Sequence, residues 1–86
     1  MRYQVYILIN EGGKRYIGLS EGVDRRLKQH NNGESKWTAK YRPWSIYWTS
    51  RVMGLSEARK LENKMKRQKG GNGLEPLMRE YSEEGS

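Results

Sequence analysis

The sequence predicts a small α+β domain, a three-stranded antiparallel sheet flanked by helices in the order β-β-α-β-α-α. Short runs rich in β-branched and aromatic residues lie near the start and the middle of the chain, the first two separated by a glycine-rich turn. Two later stretches carry apolar residues at helical spacing. The 86 residues suffice for one domain. At that length only about 60% of the unfolded surface is buried.

Residues 3–9, Tyr3-Gln4-Val5-Tyr6-Ile7-Leu8-Ile9, read as the first strand. Asn10-Glu11-Gly12-Gly13-Lys14 is turn chemistry, and 15–19 a second short strand closing a hairpin. A turn of odd length, such as Glu11-Gly12-Gly13, puts Tyr6 and Tyr16 on the same side, diagonally across the ladder. A turn of Gly12-Gly13 alone puts them on opposite sides, and the sequence leaves this register open. A helix follows over 23–31, with Asp24 in its first turn, where a carboxylate suits the dipole. Asn32-Gly33 is its stop signal. Residues 34–43 form a basic, aromatic loop holding Lys36, Trp37, Lys40, Tyr41 and Arg42. The third strand spans 44–51. Gly54-Leu55-Ser56 opens a second helix, with Ser56 as the N-cap, running to about residue 69 and ended by Gly70-Gly71-Asn72-Gly73. Pro76 suits the first turn of a short third helix that reaches Tyr81. The domain is expected over 1–81, with 82–86 a disordered tail.

There is no cysteine, hence no disulfide and no thiolate zinc site. Phe is absent and aliphatic residues are few, which leans toward disorder. Three Trp and six Tyr oppose that, so the core is expected to depend on its aromatics. The net charge of +7 is uneven: residues 1–74 carry +10 and residues 75–86 carry −3. A body this basic suits a polyanion, nucleic acid first and an anionic membrane surface second. No stretch approaches the ~20 apolar residues of a membrane span. No signal-peptide pattern opens the chain, and a cytoplasmic protein is expected.

Polar residues interrupt the inner stripes of both main helices. On the first, Val23 and Leu27 share their face with Arg26 and His30, an i,i+4 pair. An arginine stem can lie along a core with its head in water, and a border histidine can simply be a capped core residue. On the second, Leu55, Ala58, Leu61 and Met65 define the stripe and Glu62 falls at its edge. A carboxylate there needs a partner: a structural ion pair to Arg26 or Lys69, or a metal ion. Glu57, in the first helical turn, is explained by the dipole alone.

The set Val5-Tyr6 on the first strand, Tyr16-Ile17-Gly18 on the second, Arg26 eight residues after that glycine and His30 four later resembles the GIY-YIG nuclease motifs. Leu61-Glu62-Asn63-Lys64 resembles the family's metal-binding glutamate segment. The likeness covers about residues 3–70 and is closest to small single-domain bacterial members. Related domains occur in the excinuclease C repair subunit and in homing endonucleases. The first motif departs from the family pattern, reading Gln4-Val5-Tyr6 in place of Gly-Ile-Tyr. Leu19 stands where some repair members carry a lysine. Neither Asn63 nor Asn72 matches the further asparagine of larger members.

The resemblance implies metal-dependent endonucleolytic hydrolysis of phosphodiesters, DNA more than RNA, in repair or recombination. Its catalytic set would be Tyr6, Tyr16, Arg26, His30 and Glu62. Glu62 would bind a single divalent metal, Mg²⁺ or Mn²⁺. Arg26 would neutralise the phosphoryl group. Tyr6 would be the general base, acidified by Arg26 and the metal, with Tyr16 and His30 orienting water or phosphate. Gly18 would let backbone or substrate come close. Arg25, Lys28, Lys36, Lys40, Arg42, Lys66, Arg67 and Lys69 would follow the nucleic-acid backbone. Trp37 and Tyr41 would stack on unpaired bases or pack as a lid. Two other readings stand beside this one. One is a nucleic-acid-binding module of the same fold with a silent site. The other is a basic adaptor for an acidic partner, which predicts that Tyr6, Arg26 and Glu62 do not meet. Stable membrane association is not expected.

Overall fold

The computed structural model describes residues 2–68 and 73–83. β1 (Gln4–Asn10) is the central strand, between β2 (Arg15–Ser20) and β3 (Trp44–Thr49), and both pairings are antiparallel. The helices are α1 (Val23–Asn31), α2 (Lys36–Ala39), α3 (Leu55–Arg67) and α4 (Leu74–Tyr81). The expected α+β architecture is present, with one addition. Within the basic loop α2 makes a single helical turn, too short to leave an apolar periodicity in the sequence.

The hairpin resolves the register. Asn10 pairs with Lys14 by a backbone bond of 3.1 Å, so the turn is Glu11-Gly12-Gly13. Gly13 takes φ 86, the left-handed conformation that glycine adopts without a Cβ penalty. The ladder then sets Tyr6 opposite Gly18 and Leu8 opposite Tyr16, and both tyrosines point to one face.

The two faces of the sheet bury separate cores. Val5, Ile7 and Ile17 pack with Met53, Ala58, Leu61, Met65 and Leu74 on the α3/α4 side. Tyr6 and Leu8 pack with Val23 and Trp44, and with the half-buried Tyr16, Leu27 and Tyr41, on the α1/α2 side. Aromatic residues thus dominate one core only.

Several local expectations change. The N-cap of α3 is Gly54, whose extended backbone lets the helix begin at Leu55, one residue before Ser56. No side-chain cap bond forms there. The end of α3 falls at Arg67, and residues 69–72 lie outside the described residues. Pro76 does sit in the first turn of α4. Ser82, expected to open a tail, is held in place. It bridges to Ser50, its hydroxyl donates to the Met78 carbonyl at 2.5 Å, and it accepts the Trp48 indole N–H at 3.2 Å.

Candidate active site

The site is built on the aromatic face. The Tyr6 and Tyr16 rings lie 6.3 Å apart at 43°. A Cβ placed on Gly18 would come within 2.6 Å of the Tyr6 hydroxyl and 2.7 Å of its ring carbon Cζ. The Tyr6 ring therefore lies across the bare Cα of its cross-strand neighbour. Gly18 does allow a close approach, but the approaching group is Tyr6. Gly18 is buried, so a substrate contact there is not supported.

α1 adds Arg26 and His30 one turn apart. His30 is fully buried. Its Nε2 lies 3.1 Å from the Tyr6 hydroxyl, its Nδ1 2.8 Å from Thr38 Oγ1 on α2, and Tyr16 meets its ring edge-on at 4.8 Å. Arg26 donates to Gln29 Oε1 at 2.6 Å and sets its guanidinium beside the Tyr6 phenol. The polar interruption of the α1 stripe is thus a partnered network, as burial of such groups requires.

Burial pushes the Tyr6 phenol up to about 12, the neighbouring Tyr16 adds to the rise, and Glu62 contributes in the same direction. The charge and hydrogen bond of Arg26 oppose this without overcoming it. Arg26 does pull the Tyr6 phenol down as expected, but desolvation of a phenol only 1% exposed outweighs that cation. The same burial, seconded by the Arg26 charge, pulls His30 below its ordinary value, so the imidazole is neutral at pH 7.

Glu62 approaches from α3, 9% exposed. Its Oε2 is 3.2 Å from Lys66 Nζ. Among the described residues the ion pair of Glu62 is made to Lys66 and not to Arg26, because an i,i+4 lysine on the same helix is within direct reach. Lys69 lies outside the described residues. The Glu62 side chain retains 12% exposure and Lys66 52%, so the pair opens onto solvent. The charge of Glu62 is felt at the Tyr6 phenol. Tyr6, Tyr16, Arg26 and His30 meet in one pack, and Glu62 joins them through its charge at the Tyr6 phenol.

Among the described residues no group of three or more His, Asp or Glu could cage a metal. A single, partly open carboxylate fits a divalent ion that keeps most of its waters, and does not fit a two-metal clamp.

The basic residues surround this cluster unevenly. Lys36 and Lys40 are exposed on and just after α2, flanking Trp37. Trp37 is 41% exposed and packs against Tyr16, Tyr41 and Trp44 with ring centroids 5.0–6.2 Å apart. Arg42 lies by the end of α1, 3.5 Å from the Asn31 carbonyl. Lys28 is exposed on α1. Arg25 lines a hollow of about 500 Å³ bounded by Gln4, Val23 and Thr49, and Arg67 one of about 450 Å³ between α3 and α4. Neither hollow is lined by the tyrosine–histidine cluster. Sequence reasoning missed Thr38, Ser35 and Gln29. Gln29 lies three residues after Arg26 and was readable as a helix-face neighbour. Thr38 needed α2 to be known first.

The GIY-YIG catalytic domain model matches residues 2–75. A UPF0213 protein of Staphylococcus saprophyticus is 32% identical over 66 residues, covering 76% of this chain and 80% of its own length. One from Halalkalibacterium halodurans is 34% identical over 67 residues, 77% of this chain and 71% of its own. One from Nitratidesulfovibrio vulgaris is 32% identical over 65 residues, 74% of this chain; the matched stretch spans 59% of that longer protein. No solved structure matches. No helix among the described residues is long and apolar enough to cross a membrane.

Proposed function

The chain belongs to the GIY-YIG catalytic domain family, and on that footing we propose that it is a metal-dependent endonuclease hydrolysing nucleic-acid phosphodiesters, DNA in preference to RNA, in repair or recombination. The observation that carries this reading is the convergence of Tyr6, Tyr16, Arg26 and His30 in one pack, with the Glu62 charge reaching the same phenol.

Arg26, half-buried and already committed at one edge to Gln29 and Tyr6, would offer the rest of its planar fork to a phosphate. We assign Tyr6, whose phenol burial pushes up to about 12, to holding its neighbours in place rather than to taking the proton of the attacking water. Tyr6 anchors Arg26 and His30. Tyr16, which keeps some solvent access, would orient the attacking water and accept its proton. A divalent ion held by Glu62 would supply charge neutralisation at the phosphoryl oxygens and a more acidic water. Exposed Lys36, Lys40, Arg42, Lys28 and Arg25 would track the backbone, giving affinity that falls with salt.

The test uses purified protein with Mg²⁺ or Mn²⁺ on DNA and RNA in single-stranded, duplex and branched forms. Metal-dependent cutting that is lost in Glu62→Ala and falls by about 10²–10⁴ in Tyr16→Phe, with binding retained, supports the enzyme. Two observations favour the silent binding module: Tyr6 is sealed, and Glu62 is already paired to Lys66. Binding without cutting on every substrate would establish it.

A further inference from the structure

Four hydrogen-bonding groups line up beneath the proposed site: Tyr6, His30, Thr38 and the Ser35 carbonyl. Their directions can be worked out from both ends. At one end, a backbone carbonyl only accepts, so the 3.3 Å contact from Thr38 Oγ1 to Ser35 O is a bond the threonine hydroxyl donates. With its single hydrogen directed there, Thr38 Oγ1 accepts across the 2.8 Å contact and His30 Nδ1 carries a proton, a direction that the other end of the chain fixes independently. At the other end, the Tyr6 phenol lies between His30 and the Arg26 guanidinium. A guanidinium has donors and no acceptor, so the phenol hydrogen can go only to His30 Nε2 at 3.1 Å. A neutral imidazole has one N–H and one bare nitrogen, and both ends assign them alike.

We infer that Thr38 is the positioning residue of this site: it locks His30 as the Nδ1–H tautomer, so that Nε2 stands as a permanent acceptor for the Tyr6 hydroxyl. The hydrogen bonds then run one way, from Arg26 to Tyr6, His30, Thr38 and the Ser35 carbonyl, each polarising the next. Thr38 is fully buried, and its own carbonyl accepts the Trp44 indole N–H at 2.8 Å, which ties the short α2 turn to the core. The chain therefore links α2, through a buried threonine that touches no substrate in this scheme, to the orientation of Arg26. The groups that face His30 are Tyr6 from β1, Tyr16 from β2, Arg26 from α1 and the uncharged Thr38 from α2. This inference rests on the nuclease reading for its catalytic consequence and not for the tautomer itself.

His30 is the only histidine, so an untagged, ¹⁵N-labelled chain gives one imidazole signature in a long-range ¹H–¹⁵N correlation at neutral pH. A protonated, pyrrole-type Nδ1 and a bare, pyridine-type Nε2 are expected. Thr38→Val should lose that pattern, and Thr38→Ser should restore it. Where cutting is observed, Thr38→Val should lower turnover by about 10- to 100-fold with KM little changed, as for other supporting hydrogen bonds. A wild-type spectrum with Nε2 protonated overturns the assignment, and that reading holds even if Thr38→Val does not fold. An unchanged tautomer in a folded Thr38→Val also overturns it. Absence of cutting would defeat the nuclease reading while leaving the spectral result to stand or fall alone.

Discussion

Against α3 and α4 the sheet buries Val5, Ile7 and Ile17 under Leu61, Met65 and Leu74, a layer held by apolar contact. Against α1 and α2 it buries Tyr6 beside His30 and Thr38, where every polar atom must find a partner. The apolar side draws its stability from area removed from water and tolerates no loss of volume. The aromatic side gains less from burial, because desolvation of phenol and imidazole offsets part of it. It gains a fixed arrangement of donors and acceptors instead. A domain this small supports a polar site because the opposite face carries most of the fold.

Leu61→Ala tests that division hardest. It should lower unfolding free energy by about 2–5 kcal/mol in a denaturant titration, since it opens a cavity in the apolar layer. A loss under about 1 kcal/mol would mean that the two faces share the load.

The second test is alkaline. Tyr6 is raised to about 12 from 10.0, so the folded state holds this proton more tightly than the unfolded chain does. Its contribution is whole below pH 10 and is lost as pH climbs toward 12, roughly 3 kcal/mol in all. Tyrosinate absorbance should show one late-titrating tyrosine whose ionisation accompanies unfolding, and Tyr6→Phe should remove that step.

Gly18→Ala comes next. The added methyl would meet the Tyr6 hydroxyl at 2.6 Å, so the ring must shift, at about 1–3 kcal/mol. Displaced from its seat, Tyr6 should titrate nearer the ordinary tyrosine range.

Acid should act on the same face by a smaller amount. The folded state depresses His30 below 6.5, so the unfolded chain binds the proton more readily. Stability is therefore fully present above pH 6.5 and declines as pH falls below it, and His30→Gln should flatten that slope.

The smallest effect belongs to Glu62. Its pair with the half-exposed Lys66 lies at the edge of the apolar helix, and Glu62→Gln should change stability by no more than about 1 kcal/mol. A larger drop would recast Glu62 as a structural residue of α3.

The sequence revealed the two faces unequally. Apolar spacing named Leu55, Ala58, Leu61 and Met65; the last three are buried in the α3/α4 core, while Leu55, at the first residue of the helix, is exposed. Strand and helix order were legible from the same periodicities. On the other face, Arg26 and His30 stood out because they broke a stripe, but what they bonded to was hidden. The hairpin register depended on the left-handed turn at Gly13, which either turn length permits on paper. The pull of Arg26 on Tyr6 was legible, but the larger opposing effect of burial was not, because burial is a property of the whole pack. Thr38 was invisible because one helical turn leaves no period to read.

The seat that Gly18 provides for the Tyr6 ring has a practical corollary. Replacing glycines with alanine is a standard route to a stiffer, more heat-resistant protein. Applied indiscriminately here, that route would evict one aromatic ring and, through it, misalign the guanidinium two elements away. An engineer wanting a hardier version should leave this hydrogen-for-side-chain position alone and work instead on the layer beneath the long helix.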